Sequence, residues 1–291
     1  MTVVAVLDVG GTSIKSGAVR NGSAEVGPSM PTLAAEPADV VLERLAASCS
    51  AAIGLAGPTV SGVAIGFPGP FDIARGTALI RGLHKFEAIH GVDLRAALRA
   101  RVPEVADGLP VEFVHDNEAA GVGEAVFGAG RNAGRVLTVT LGTGVGACLT
   151  SNGDVVQWVG ELEVEKLARR STPWGRADDV LSARGLADRL GVATLDLRTA
   201  VEASGHAAAV ADHGSRMGTF LRGCVDELDV ELVVVGGGLV DAYGRFGPAA
   251  EVELAPTPCV PAELGAAGPI LGAAHLAFPD AHSGPGISGY R

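Results

Sequence analysis

Val3-Val4-Ala5-Val6-Leu7-Asp8-Val9-Gly10-Gly11-Thr12-Ser13-Ile14-Lys15 runs a β-branched, apolar strand straight into a glycine turn. Glycine adopts positive φ without steric cost, so the backbone can bend sharply there and bring bare N–H groups up to a phosphate. Asp8, at the strand end, would repel phosphate unless a divalent cation or a water lay between them. The combination predicts a metal nucleotide.

A second copy of this device occurs at Val136-Leu137-Thr138-Val139-Thr140-Leu141-Gly142-Thr143-Gly144-Val145-Gly146-Ala147-Cys148-Leu149. Each copy reads strand, Gly/Thr turn, strand, and each is followed by an Asn-Gly pair, Asn21-Gly22 and Asn152-Gly153, the signal of a type I′ hairpin turn. The chain reads as duplicated. Two such turns facing each other across a cleft could grip opposite ends of a polyphosphate; the alternative is two ordinary hairpins in a glycine-rich protein.

With 291 residues, 47% of them apolar, the chain can bury a substantial core and is expected to form two domains or lobes, bounded at 1–114 and 115–291, with the last helix returning to the first lobe. No stretch approaches the roughly 20 apolar residues that cross a bilayer, and Met1 leads into the first strand without a signal-peptide pattern, so a cytoplasmic protein without membrane partners is expected. A formal charge of −11 disfavours nucleic acid, whose binding depends on clustered Lys and Arg. Arg95, Arg99 and Arg101 read as the solvated face of a helix. Cys49, Cys148, Cys224 and Cys259 stand singly, without the close spacing that places two thiolates on one metal.

Between the glycine turns, Pro37 to Leu55 has helical apolar spacing, Val63-Ala64-Ile65-Gly66-Phe67 reads as a buried strand, and Pro68-Gly69-Pro70 is a turn that continues neither. A helix is expected from Asp93 to Arg101. Val111-Glu112-Phe113-Val114 is a short strand ending at His115-Asp116-Asn117-Glu118, which sets Asp116 at a strand-to-helix junction. Glu161 to Leu190 reads as mostly helical, and Thr194 to Leu221 as two helices. Val233-Val234-Val235 opens into Gly236-Gly237-Gly238, either a third ligand-facing turn or a tight strand-to-helix connection. Leu264 to Phe278 reads as a closing helix, and Ser283-Gly284-Pro285-Gly286 as a frayed tail.

Six motifs in order make the chain resemble the ROK family of sugar kinases, within the actin-like, hexokinase-like ATPases: Asp8-x-Gly10-Gly11-Thr12-x-x-Lys15, Gly66-x-Pro68-Gly69-Pro70-x-Asp72, Asp116-x-Glu118-Ala119-Ala120-x-x-Gly123-Glu124, Leu141-Gly142-Thr143-Gly144-Val145-Gly146, Gly160-Glu161-Leu162 and Val235-Gly236-Gly237-Gly238. The resemblance implies an α/β, two-lobed actin-like (ribonuclease H-like) fold, each lobe a mixed sheet flanked by helices. It implies ATP and Mg2+, with Asp8, Gly10, Gly11, Thr12, Lys15, Gly142, Thr143 and Gly144 around the phosphates, Gly236, Gly237 and Gly238 beside the adenosine, and Asp8 toward the magnesium. Asp116 would be the catalytic base, although a helix N-cap would occupy the same position. Gly69, His115 and Glu161 would face the acceptor, a hexose or hexose-like polyol; His84, Lys85 and His90 either join them or lie in a solvated loop. Homodimers are common in the family.

Two departures fall on the acceptor side. The family usually has Asn where His115 stands, and Gly-His with a zinc-binding Cys-x-Cys cluster where Glu163-Val164-Glu165-Lys166 follows Leu162. Each polar partner lost from a sugar pocket costs about 1–3 kcal/mol, so the acceptor is open between glucose, other hexoses, cyclitols and sugar-like ketones, and the donor between ATP and polyphosphate. The non-enzyme alternatives are a sugar-sensing regulator, disfavoured because the chain opens on its first strand, and a nucleotide-binding scaffold, which has no use for Asp116. Elemental analysis of the purified protein is expected to find no stoichiometric zinc; one zinc per chain contradicts this reading.

Overall fold

Val3–Val9 pairs on both edges, antiparallel with Ser13–Arg20 and parallel with Val60–Phe67. That central position buries Val3, Val4, Ala5, Val6 and Leu7 in succession, which is why the strand is continuously apolar rather than alternating. The computed structural model describes residues 2–82 and 85–279, and its contacts divide them into two units. One comprises the described residues before Ala120 and after Gly265, the other Ala120–Gly265. The division falls inside the helix Asp116–Phe127, where the sequence reading put a boundary before His115, so Asp116 lies in the first unit.

The two sheets share one topology. Across the first unit the order is Ser23–Pro31, Ser13–Arg20, Val3–Val9, Val60–Phe67, Val111–His115; across the second it is Asp154–Val156, Val145–Ser151, Arg135–Leu141, Leu232–Gly236, Cys259–Pro261. In each the first three strands form an antiparallel meander, and the last two run parallel to the first. Both Asn-Gly pairs have the positive φ angles of type I′ turns, 51° and 75° at Asn21-Gly22 and 52° and 88° at Asn152-Gly153.

Helices follow the pattern of apolar residues. Ala38–Ala56 begins after Pro37 and buries Val41, Leu45, Cys49, Ala52, Ile53 and Ala56 on one stripe. Leu94–Arg99 is capped by Asp93, whose carboxylate accepts the Ala96 N–H at 3.0 Å. Ala207–Leu228 is a long helix packed on Tyr243–Leu254. The closing helix Ala267–Ala277 lies on the first sheet, its neighbourhood notched by glycine: a Cβ on Gly17 would fall 2.6 Å from Ile270, and one on Gly62 2.3 Å from the Phe278 ring. The tail sequence Ser283-Gly284-Pro285-Gly286 lies outside the described residues.

Glu161 to Leu190 differs from its helical reading. It contributes to one small hairpin, Trp158–Val159 with Leu162–Glu163, and forms a second, Ser171–Thr172 with Gly175–Arg176, with a 3-10 turn Val164–Arg169 between them and helices only from Ala177. Gly160 at φ 57° turns the first hairpin just ahead of this segment, and Gly175 at φ 134° turns the second where a helix would have to continue. Leu167 is buried in the second core, the Arg216 guanidinium lies 5.0 Å over the Trp174 ring, and Arg170 makes a two-pronged ion pair with Glu227 at 2.7 and 2.8 Å.

Beyond Leu232–Gly236, Gly237 turns at φ 86°, and a Cβ there would lie 2.6 Å from both the N and the O of Leu141. Gly237→Ala is therefore expected to destabilise the protein by about 2–3 kcal/mol, read as a lower denaturant midpoint. An unchanged midpoint contradicts this packing.

Candidate active site

In the first unit, three parallel strands end at one edge. Asp8 is the register partner of Gly66, and Gly66 that of Val114, with His115 and Asp116 next along the chain. The carboxyl ends of parallel strands are where open α/β sheets bind ligands, in crevices left where neighbouring connections diverge. Gly66 leaves space there: a Cβ would sit 3.6 Å from the Asp116 Cα and 3.8 Å from the Ala119 Cβ, so the helix Asp116–Phe127 starts directly over the sheet. Asp116 opens that helix, its Oδ1 accepting the Asn117 N–H at 2.8 Å.

The two carboxylates of this edge have different surroundings. Asp8 sits opposite Lys15 in the hairpin, and the Lys15 Nζ lies 2.9 Å from its Oδ2. Burial pushes the Asp116 carboxyl up to about 6, helped by the Asp8 charge; Lys85, the Asn117 N–H and His115 oppose the rise. A carboxylate titrating near neutrality can take a proton from a hydroxyl and release it again, as a general base must. His115 ends its strand beside Phe67, with a buried Nδ1 that has no hydrogen-bond partner.

The glycine turns are pinned from outside. In the first, the Gly10 N–H donates to the Ser13 O at 2.9 Å, the Thr32 hydroxyl donates to the Gly10 O at 2.7 Å, and the Thr32 N–H donates to the Thr12 O at 3.0 Å. In the second, the Gly142 N–H donates to the Gly144 O at 2.9 Å, the Ala183 N–H to the Gly142 O at 2.8 Å, and the Val145 N–H to the Asp178 Oδ1 at 2.7 Å. Thr12 and Thr143 are exposed on these turns. Positive φ, the expected reason for the glycines, does not apply to Gly10, Gly11, Gly142 or Gly144. Close approach bears on two of them: a Cβ on Gly10 would lie 3.1 Å from the Ser13 O, and one on Gly144 2.7 Å from the Asp178 Oδ1. Thr32 and Asp178 escaped the sequence reading because each acts on a turn from a distant segment.

Gly236, Gly237 and Gly238 sit beside the second turn, since the Leu239 N–H donates to the Leu141 O at 3.1 Å. Close packing thus accounts for Gly237, while Gly237 and Gly238 remain exposed. Glu124 is structural: its buried carboxylate accepts the N–H groups of Ala129, Glu263 and Leu264 at 2.9–3.0 Å. Gly69 follows Pro68 in a partly exposed turn, and Glu161 is exposed at a hairpin tip. Lys85 is partly buried, His90 ends the 3-10 turn Glu87–Ile89, and His84 lies outside the described residues. Among the described residues no group of three or more His, Cys, Asp or Glu is gathered for a metal. Asp8 suits magnesium, which takes one or two carboxylates and completes its shell with substrate phosphates and water.

A model of the ROK family matches residues 4–161. Among solved structures, a ROK glucokinase from Streptomyces griseus in complex with glucose and AMPPNP aligns with a TM-score of 0.76 at 22% identity, over 96% of this chain and 99% of that one. An inorganic polyphosphate/ATP-glucomannokinase from Arthrobacter sp. strain KM aligns with a TM-score of 0.71 at 27% identity, over 94% and 97%. A glucokinase of Halalkalibacterium halodurans is 31% identical over 166 residues, 46% of this chain and 50% of that protein. The chain spans about half the length of the curated relatives it matches. The fold is α/β with two mixed sheets and is the one these ROK structures share.

A raised carboxyl is protonated as the pH falls through its folded value, so kcat/KM is expected to drop below a limb near pH 6. Removing the charge should also relieve the folded state above that pH. Asp116→Asn is expected to lower turnover by about 10²–10⁴-fold while raising stability at pH 8 on the order of 1–3 kcal/mol. Unchanged turnover, or a stability loss at pH 8, contradicts the assignment.

Proposed function

We propose that this chain, which belongs to the ROK family, is an ATP-dependent kinase that transfers the terminal phosphoryl group to a hydroxyl of a hexose or hexose-like polyol. The observation that carries the reading is Asp116: a carboxylate at the ligand-binding edge of a sheet, poised near neutrality beside an Asp8–Lys15 pair. The acceptor hydroxyl gives its proton to Asp116 as its oxygen bonds to the terminal phosphorus, and the bond from that phosphorus to the departing ADP oxygen breaks. Lys15 and the N–H groups of Gly11 and Thr12 would offset phosphate charge, with Gly10 shaping the turn, and Asp8 would hold a Mg2+ that supplies further neutralisation of the phosphate oxygens.

In the second unit, Gly142, Thr143 and Gly144 serve the phosphates, and Gly236, Gly237 and Gly238 the adenosine. Gly69, His115 and Glu161 serve the acceptor. The glucokinase complex with glucose and AMPPNP supports the substrate classes, and the polyphosphate/ATP-glucomannokinase keeps polyphosphate open as a second donor. No described helix is long and apolar enough to cross a membrane; a cytoplasmic site of action is part of the proposal. A homodimer is the assembly proposed, since two-fold pairing is the commonest closed symmetry.

Incubation with magnesium and either ATP or polyphosphate, against a panel of hexoses, amino sugars and cyclitols, tests the proposal. Acceptor-dependent ADP release with a phosphorylated product is expected; nucleotide turnover indifferent to every acceptor points to the scaffold instead.

A further inference from the structure

Phe86 is fully buried yet has φ 58°, a left-handed conformation that a bulky side chain adopts only when its surroundings enforce it. Two contacts enforce it. The Phe86 N–H donates to the Ala34 O at 2.6 Å, and the Phe86 ring lies 5.1 Å from that of Phe67, the strand-end residue paired with His115. Ala34 follows Leu33, itself at φ 57°, and Thr32, which pins the Gly10–Thr12 turn. The residue held in place by this chain of constraints is Lys85.

Lys85 is a lysine of the first unit without a partner of its own among the described residues. The chain has three lysines; Lys15 is paired with Asp8 and Lys166 with Glu163, whereas Lys85, partly buried, has no ion pair or hydrogen bond among the described residues. Its charge is felt at Asp116, where it opposes the effect of burial. The sheet order places its neighbour Phe86 on the Phe67 and His115 side of Asp8, while Lys15 approaches Asp8 from the hairpin on the other side. One cation therefore belongs with the first glycine turn, while the second follows the chain on the Phe67 side and is felt at Asp116, next to a His115 whose Nδ1 is unpartnered.

We infer that Lys85 is an acceptor-binding residue, its ammonium donating to an oxygen of the sugar or polyol next to the hydroxyl that Asp116 deprotonates. The inference rests on the proposed kinase reading. With His115, it gives the acceptor site a charged donor and an imidazole where the departures from the family pattern removed an amide and another imidazole, so an oxygen-rich acceptor would be recognised by a different set of hydroxyls.

The test uses the panel compound with the lowest KM and its monodeoxy analogues. Lys85→Met is expected to raise the acceptor KM about 10–100-fold, the range for a hydrogen bond to a charged group, with the ATP KM and the denaturant midpoint unchanged. Lys85→Arg should recover part of the affinity. One deoxy analogue should be penalised with the wild type but not with Lys85→Met, a coupling that a merely structural lysine would not show. An unchanged acceptor KM, a fall in kcat alone, or equal deoxy penalties in both proteins overturns the assignment while leaving the kinase reading intact. A panel with no phosphorylated compound, and Asp116→Asn indistinguishable from the wild type, removes the kinase reading and this assignment together.

Discussion

Two carboxylates of like charge end up at one edge of one sheet. Asp8 and Asp116 are brought there by the parallel register of Val3–Val9, Val60–Phe67 and Val111–His115, with Gly66 keeping the strip between them open. Their surroundings divide the labour: Asp8 is fixed by a cross-strand ion pair, while Asp116 is buried enough to titrate near neutrality. An ion-paired carboxylate suits a residue that faces a cation, and a buried one with a raised pKa suits a residue that must accept a proton.

The rest of the first unit keeps that edge in place. Thr32 clamps the first glycine turn, and Leu33 and Phe86 occupy left-handed backbone conformations of the kind tolerated where packing over-determines a position. Phe67, Phe71, Phe86 and Phe113 form a tilted aromatic run beneath the loop, with ring centroids 4.8–5.1 Å apart. Polar groups placed by such a base are ordered before any ligand arrives, so little rearrangement is needed on binding. In the second unit the same logic recurs with different residues, Asp178 taking the clamping role on the Gly142–Gly144 turn.

Much of this was legible in the sequence, and the exceptions have a common physical cause. The duplicated strand–turn–strand device, the central strands and the type I′ turns follow from local apolar runs and Asn-Gly pairs, whose information lies within a few residues, whereas the strand order and the edge strands Ser23–Pro31 and Cys259–Pro261 do not. Asp116 was identifiable as a strand-to-helix junction for the same reason. Thr32 and Asp178 were not singled out because each acts on its turn across a long sequence separation, 22 residues for Thr32 and Gly10 and 33 for Asp178 and Val145. The glycines of the two turns do not have the positive φ expected of them; what bears on Gly10 and Gly144 is close approach by the Ser13 carbonyl and the Asp178 carboxylate. The segment from Glu161 to Leu190 misled because its polar composition resembles an exposed helix, while Gly160 and Gly175 fold it into hairpins.

The claim on which the account turns is that the fold itself, without substrate, tunes Asp116 for proton transfer. Titration of the side-chain carboxyl carbons by nuclear magnetic resonance, with Asp116 assigned by its loss in Asp116→Asn, measures this directly. A midpoint near pH 6 for Asp116 agrees with a buried carboxyl facing Asp8. A midpoint at the ordinary aspartate value of about 4 would contradict it.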